Sequence, residues 1–223
     1  MCAKQRIALY GGTFDPVHSG HLDVARRVSE LFEIEKVIFL PAQVAPHKIG
    51  RRVTDPLHRH AMLVLATQDD PNLYVSTFEI EAPNRRYTVD TLSYFVELWG
   101  ESSELFFVMG ADSWVEITTW REWQKLLTMN NHIVVTRPGY DVAGPAEMKE
   151  RIIDLRGLEH LPTNSVGHGT KIYLTDVVMK DISATQIRTF AAAEQFEEVA
   201  ARVPATVAYY IQKYEIYQES NEV

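Results

Sequence analysis

The sequence predicts an α/β fold: a doubly wound parallel sheet with helices added at the C-terminal end. Three observations carry that prediction. Apolar runs alternate with helical patterns along the chain. Two of the runs, Leu105-Phe106-Phe107-Val108-Met109 and His132-Ile133-Val134-Val135, lack polar alternation, as strands covered on both faces do. And residues 11–21, Gly-Gly-Thr-Phe-Asp-Pro-Val-His-Ser-Gly-His, stand between an apolar run and a helical pattern, giving the order strand, glycine loop, helix.

Taken in order, the first strand is Ile7-Ala8-Leu9-Tyr10. The helix after the glycines carries its apolar stripe on Leu22, Ala25, Val28 and Leu31–Phe32, with Arg26, Arg27 and Glu30 between. Lys36-Val37-Ile38-Phe39-Leu40, ended by Pro41, reads as a second buried strand. Pro56 suits the first position of the next helix, with Thr54 or Asp55 as its cap and Met62, Leu63, Leu65 and Ala66 on its apolar face. Leu73 to Ile80 reads as a third strand, and Thr88 to Leu98 as a helix stopped near Gly100. After the two apolar strands, residues 141–170 are weakly patterned; a short helix is expected near Ala146–Leu155, then loop. Lys171 to Thr175 is the last strand, and three helical segments follow, ending with Val207-Ala208-Tyr209-Tyr210-Ile211. No internal repeat, low-complexity tract or linker divides residues 1–223, so one domain is expected.

Composition narrows the classes. Apolar residues make up 46% and charged residues 23%, which is ordinary globular usage. No apolar run approaches the ~20 residues that span a bilayer, and the opening Met-Cys-Ala-Lys-Gln-Arg lacks the apolar stretch of a secretory signal, so no membrane partner is expected. Cys2 is the sole cysteine, which rules out an intramolecular disulfide and suits a reducing cytoplasm. A net charge of −8 argues against a general nucleic-acid binder. It leaves room for small anionic substrates, which need positive charge only locally, from Lys48, Arg51, Arg52, Arg85, Arg86, Arg137 and Arg188. A homo-oligomer is left open.

Residues 11–21 carry the chemistry. Gly11 and Gly12 allow a tight turn and a close approach of backbone to ligand. The helix start beyond them offers backbone N–H groups and the positive end of a dipole. His18 and His21, three apart, can share one face of the first turn. A phosphate there meets amides, a helix terminus and two imidazoles. A structural zinc site wants four ligands at finger-like spacing, and no nearby cysteine or third histidine supplies them. Further on, Ser183 and Gln186 have the spacing of a capping box, while Thr185 and Arg188 add donors beyond what a cap needs. Asp112 follows an apolar strand and Gly110, the place where a carboxylate commonly meets a ribose hydroxyl. Trp120 can present a ring face to a ligand, whereas Trp123, Leu126 and Leu127 read as core.

Gly11–Leu22 resembles the His-x-Gly-His signature of the nucleotidyltransferases. The chain as a whole is similar to the nicotinate-nucleotide adenylyltransferases of bacterial NAD synthesis, from Arg6 to about Tyr217. The likeness continues in Ala45-Pro46-His47-Lys48, Asp55–Arg59, Tyr87–Leu92, Gly110–Ser113, Trp120–Leu127, Arg137–Tyr140 and Ile182–Arg188. It departs at Ala45, where the family usually has proline, and at Ala184, where it usually has serine.

The resemblance implies a Rossmann-like nucleotidyltransferase fold and a set of roles. His18 and His21 are catalytic. Gly11, Gly12, Thr13, Phe14, Gly110, Asp112, Ser183, Thr185 and Arg188 bind ATP. His47 and Lys48 take a phosphate, and Thr88 and Trp120 hold nicotinate mononucleotide, the tryptophan by stacking on the pyridine ring. Mg²⁺ comes on ATP, with no protein metal site. The reaction so implied is adenylyl transfer from ATP to nicotinate mononucleotide, giving deamido-NAD and pyrophosphate. The alternatives are an adenylyltransferase for nicotinamide mononucleotide or phosphopantetheine, a nucleotide-binding regulator without activity, and a metal-dependent hydrolase using His18 and His21.

Overall fold

A computed structural model describes residues 4–43, 53–82, 86–136, 143–158, 169–176 and 182–218. Its centre is a seven-stranded sheet in which every pairing is parallel. The strands are β1 (Gln5–Gly12), β2 (Lys36–Pro41), β3 (Leu73–Val75), β4 (Ser103–Gly110), β5 (Asn131–Val135), β6 (Ile152–Asp154) and β7 (Ile172–Thr175), in the order β3-β2-β1-β4-β5-β7-β6. Winding therefore reverses between β1 and β4, which pair with Tyr10 opposite Val108. The helices are α1 (Ser19–Phe32), α2 (Pro56–Thr67), α3 (Thr88–Trp99), α4 (Ala111–Val115), α5 (Trp123–Met129), α6 (Ala184–Ala192), α7 (Phe196–Ala200) and α8 (Ala205–Lys213). Among the described residues no helix is long and apolar enough to cross a membrane.

The central strands are apolar without alternation because both faces are covered. Ala8, Tyr10, Phe106 and Val108 belong to one cluster with α1, α2 and the C-terminal helices, whose Ile187, Val199, Val207 and Ile211 are fully buried. Ile7, Leu9, Phe107 and Met109 belong to another, with α3, α4 and α5. Trp123 is only partly buried against this second cluster, while Leu126 and Leu127 are fully buried. His132, at the first turnings of β5, is wholly buried with Nδ1 3.0 Å from the Asn130 carbonyl. Burial pushes its pKa down to about 4, so it is a neutral core group.

Several expectations are corrected, and those for the starts of α2 and α3 are met. Gly11 and Gly12 finish β1 and do not form the turn; the left-handed residue is Phe14, at φ 50°. The third strand stops at Val75, because the Ser76 hydroxyl captures the amide of Phe78 and starts a turn. The expected helix near Ala146–Leu155 is a 3-10 stretch, Ala146–Arg151, followed by β6, where two adjacent isoleucines pair with β7. Asp55 caps α2, accepting from the Leu57 amide at 2.8 Å. Tyr87 is the cap residue of α3, which leaves Thr88 as its first helical residue. The Ser183–Gln186 capping box does not form; Ser183 occupies the cap position of α6 without a side-chain cap bond.

Candidate active site

β1 and β4 leave the sheet toward opposite faces, α1 on one and α4 on the other. That divergence opens a crevice at their C-terminal ends, the place where open α/β sheets bind ligands. Gly12 ends β1 and Gly110 ends β4, so the two segments expected to take phosphate and ribose meet there through topology alone. The glycines of β1 are required by space. A Cβ on Gly11 would lie 2.8 Å from Phe107 Cζ, and one on Gly12 would lie 2.7 Å from Phe14 Cζ.

His18 is the cap residue of α1 and His21 its third helical residue, and the two form a capping box. The backbone N–H of His18 donates to His21 Nδ1 at 3.2 Å. A ring nitrogen that accepts cannot carry the proton, so neutral His21 has its N–H on Nε2. The rings stack at 3.7 Å with 24° between planes, and Phe14 meets the His21 ring edge-on at 5.0 Å. His18 is buried and His21 half-buried. Two first-turn amides are already engaged, Ser19 N with the Arg202 carbonyl and His21 N with the His18 carbonyl, each at 2.9 Å. An anion at this turn would therefore meet the dipole and the imidazoles more than an open row of amides.

Behind the turn lies Arg59, fully buried on α2. Its guanidinium donates to four carbonyls: Thr54 at 2.9 Å, Thr13 at 2.7 Å, Ala42 at 2.6 Å and Gln43 at 3.1 Å. One planar fork therefore ties the ends of β1 and β2 to the start of α2. Burial lowers the Arg59 pKa, and the nearby Asp15 charge opposes that shift. Asp15 itself is buried and accepts from the Tyr217 hydroxyl at 2.8 Å and the Thr54 amide at 3.3 Å.

A cleft of about 200 Å³ opens in front of the β1 glycines. It brings together Gly11, Gly12 and Thr13 with Thr88 and Trp120. Thr88 and Val89 line it from the first turn of α3, whose dipole favours a negative group. Trp120 follows a 3-10 turn, Ile117–Thr119, and is partly buried; α5 begins only at Trp123. Glu79 and Arg121 line the same cleft. The Glu79 carboxyl accepts from the Thr91 hydroxyl at 2.8 Å, and burial raises its pKa. Arg121 lies over the Tyr87 ring at 4.8 Å.

Thr185 and Arg188 stand apart from that cleft, along a second one of about 680 Å³ that Thr54, His58 and Tyr217 also line. Arg188 donates to the Asp15 carbonyl at 2.7 Å and to the Thr185 hydroxyl at 3.1 Å, so α6 is latched to the signature turn. Asp112 is exposed in the first turn of α4, and Ser113 beside it reaches the smaller cleft. His47 and Lys48 lie outside the described residues, as do Arg51, Arg52, Arg85 and Arg137. Among the described residues no group of three or more His, Cys, Asp and Glu stands together as a metal site.

The residue-level reading missed Arg59, Glu79, Arg121 and Tyr217. Only Arg59 carried a signal: it falls on the inward stripe of α2 with Met62 and Leu63, where an arginine demands buried partners. The other three are gathered by chain segments distant in sequence.

Comparison with known proteins bears on the family and the fold. The sequence model of the cytidylyltransferase-like family matches residues 9–190. A protein of Thermoanaerobacter sp. (strain X514) named "Probable nicotinate-nucleotide adenylyltransferase" is 39% identical over 217 residues, 97% of this chain and 96% of its own. A Corynebacterium glutamicum protein of the same name is 31% identical over 215 residues, 96% of this chain and 89% of its own. Among solved structures, the chain resembles the nicotinic acid mononucleotide adenylyltransferase of Plasmodium falciparum complexed with NaAD, with a TM-score of 0.71 at 21% identity, covering 96% of this chain and 97% of that one. That last likeness speaks to fold.

Proposed function

The chain belongs to the cytidylyltransferase-like family, within its nicotinate-nucleotide adenylyltransferase branch, and from that premise we propose how its site works. It transfers the adenylyl group of ATP to nicotinate mononucleotide, yielding deamido-NAD and pyrophosphate. An oxygen of the mononucleotide phosphate attacks the α-phosphorus of ATP. The bond from that phosphorus to the bridging oxygen breaks, and pyrophosphate departs with the electron pair. The attacking phosphate is ionised at neutral pH, so no general base is required. Catalysis rests on alignment and on neutralising charge at the transferring phosphorus. His18 and the Nε2–H of His21 are the groups placed for that neutralisation. ATP enters with Mg²⁺ on its phosphate oxygens, the ligands that ion prefers. Asp112 takes the adenylate ribose, Arg188 with Ser183 and Thr185 the β- and γ-phosphates, and His47 with Lys48 a further phosphate. The reaction belongs in the reducing cytoplasm.

The observation that carries the reading is the smaller cleft, which joins the β1 glycines to Thr88 and Trp120. A pyridine ring stacked on Trp120 would direct its carboxylate at the amides opening α3. A carboxylate accepts at both oxygens, whereas a carboxamide turns an NH₂ toward one donor. The unmatched donor costs about 1–3 kcal/mol, or roughly ten- to hundredfold in discrimination. The test is ATP-dependent pyrophosphate release with nicotinate mononucleotide, nicotinamide mononucleotide and phosphopantetheine in parallel. The expected order has the nicotinate acceptor first by that factor in kcat/KM. Equal values for the two pyridine nucleotides would replace this reading with a dual-specificity enzyme.

A further inference from the structure

Near the C-terminal end the chain makes two left-handed steps, Glu215 at φ 52° and Tyr217 at φ 75°. An aromatic residue rarely adopts such a φ, and the backbone holds it only where surrounding contacts impose it. The contact here is specific. The Tyr217 hydroxyl donates to Asp15 Oδ1 at 2.8 Å, 202 residues away in sequence. Asp15 is the buried carboxylate of the signature turn, between the left-handed Phe14 and the cap residue His18. Its other oxygen accepts from Thr54 N, and its carbonyl accepts from Arg188. Three segments thus converge on one residue of the turn: the start of α2, α6, and the segment after α8.

We propose that Tyr217 is a positioning residue for adenylyl transfer: by holding the Asp15 carboxylate it fixes the turn that sets His18 and His21 against the transferring phosphate. The proposal rests on the reaction described above, but the contact it concerns is independent of the acceptor's identity. The phenol stays protonated, and so remains a donor, because burial and the Asp15 charge keep its pKa well above the ordinary tyrosine value. Phenylalanine preserves the ring and its packing while removing only the hydroxyl.

The test uses full-length wild type, Tyr217→Phe, Asp15→Asn and the double variant. Tyr217→Phe should lower kcat about tenfold, the change typical of one lost hydrogen bond to a charged group, while both KM values stay within about twofold. Because Tyr217 acts through Asp15, the double variant should be no slower than Asp15→Asn alone. A merely structural tyrosine would lower the unfolding midpoint and leave kcat untouched at temperatures well below it. The NMR signals of the His18 and His21 rings, recorded without substrate, should move in the same direction in both single variants. Wild-type kcat in Tyr217→Phe, multiplicative losses in the double variant, or unmoved histidine signals would each overturn the proposal. Absence of transfer to nicotinate mononucleotide by the wild type would instead overturn the assigned reaction, and the histidine signals would still report on Tyr217.

Discussion

The two ends of the site are built differently. At the phosphate end, the turn from Thr13 to His18 is held by partly buried hydrogen bonds from Arg59, Arg188, Tyr217 and Thr54 N, and its histidines are fixed by each other. At the acceptor end, Thr88, Trp120 and Arg121 are partly or largely exposed and come from the start of α3 and the segment before α5. Transition-state stabilisation tolerates little misplacement, because the donors must already point at the charge that develops. Ground-state recognition of a flat ring tolerates more, since stacking varies slowly with position. On the proposed reaction, the braced end serves rate and the looser end choice of substrate.

Five substitutions can break or sharpen that contrast, in descending size of effect. Arg59→Met leaves four carbonyls without their donor, and stability measured by chemical denaturation should fall on the order of 3–5 kcal/mol. A loss under about 1 kcal/mol would show that the bracing is nominal. His21→Ala should lower kcat on the order of a hundredfold, about 3 kcal/mol, with a smaller change in affinity for a non-hydrolysable ATP analogue; a near-normal kcat would remove His21 from the chemistry. Arg188→Ala should raise the KM for ATP roughly tenfold and leave that for the mononucleotide nearly unchanged. A selective defect in the mononucleotide would reverse its assignment. At the acceptor end, Trp120→Ala should weaken both pyridine nucleotides about fivefold, as the loss of one stacked ring does, with their ratio preserved. Thr88→Ala should compress that ratio a few-fold if its hydroxyl is a donor to the carboxylate. A kcat effect from Trp120→Ala larger than that from His21→Ala would invert the division of labour between the two ends.

Much of the scaffold was legible from local pattern. The apolar runs around Leu9, Phe39, Phe107 and Val134 each became strands, with pairing extended a residue or two beyond the runs. The proline signal placed the start of α2 to the residue, with Asp55 one of two cap candidates. Legibility failed where two local tendencies competed: at Ser76, whose hydroxyl diverted a continuing strand, and at Ile152-Ile153, where an edge pairing with β7 overrode a helical pattern. It failed also for Gly11 and Gly12, whose role is to admit the rings of Phe107 and Phe14, one of them nearly a hundred residues on in sequence.

By itself the sequence determined the parallel α/β class, the strand–turn–helix that carries His18 and His21, and the family to which the chain is similar. Each of these is encoded in spacings of a few residues, where hydrophobic period and backbone preference act directly. The tertiary structure alone decided that Arg59 reaches the carbonyls of Thr13 and Ala42, that Tyr217 meets Asp15, and that Thr88 and Trp120 face the glycines of β1 across one cleft. Those contacts join segments up to 202 residues apart. A buried donor or carboxylate must find a partner, but which partner it finds is settled only when the sheet order brings the strand ends together.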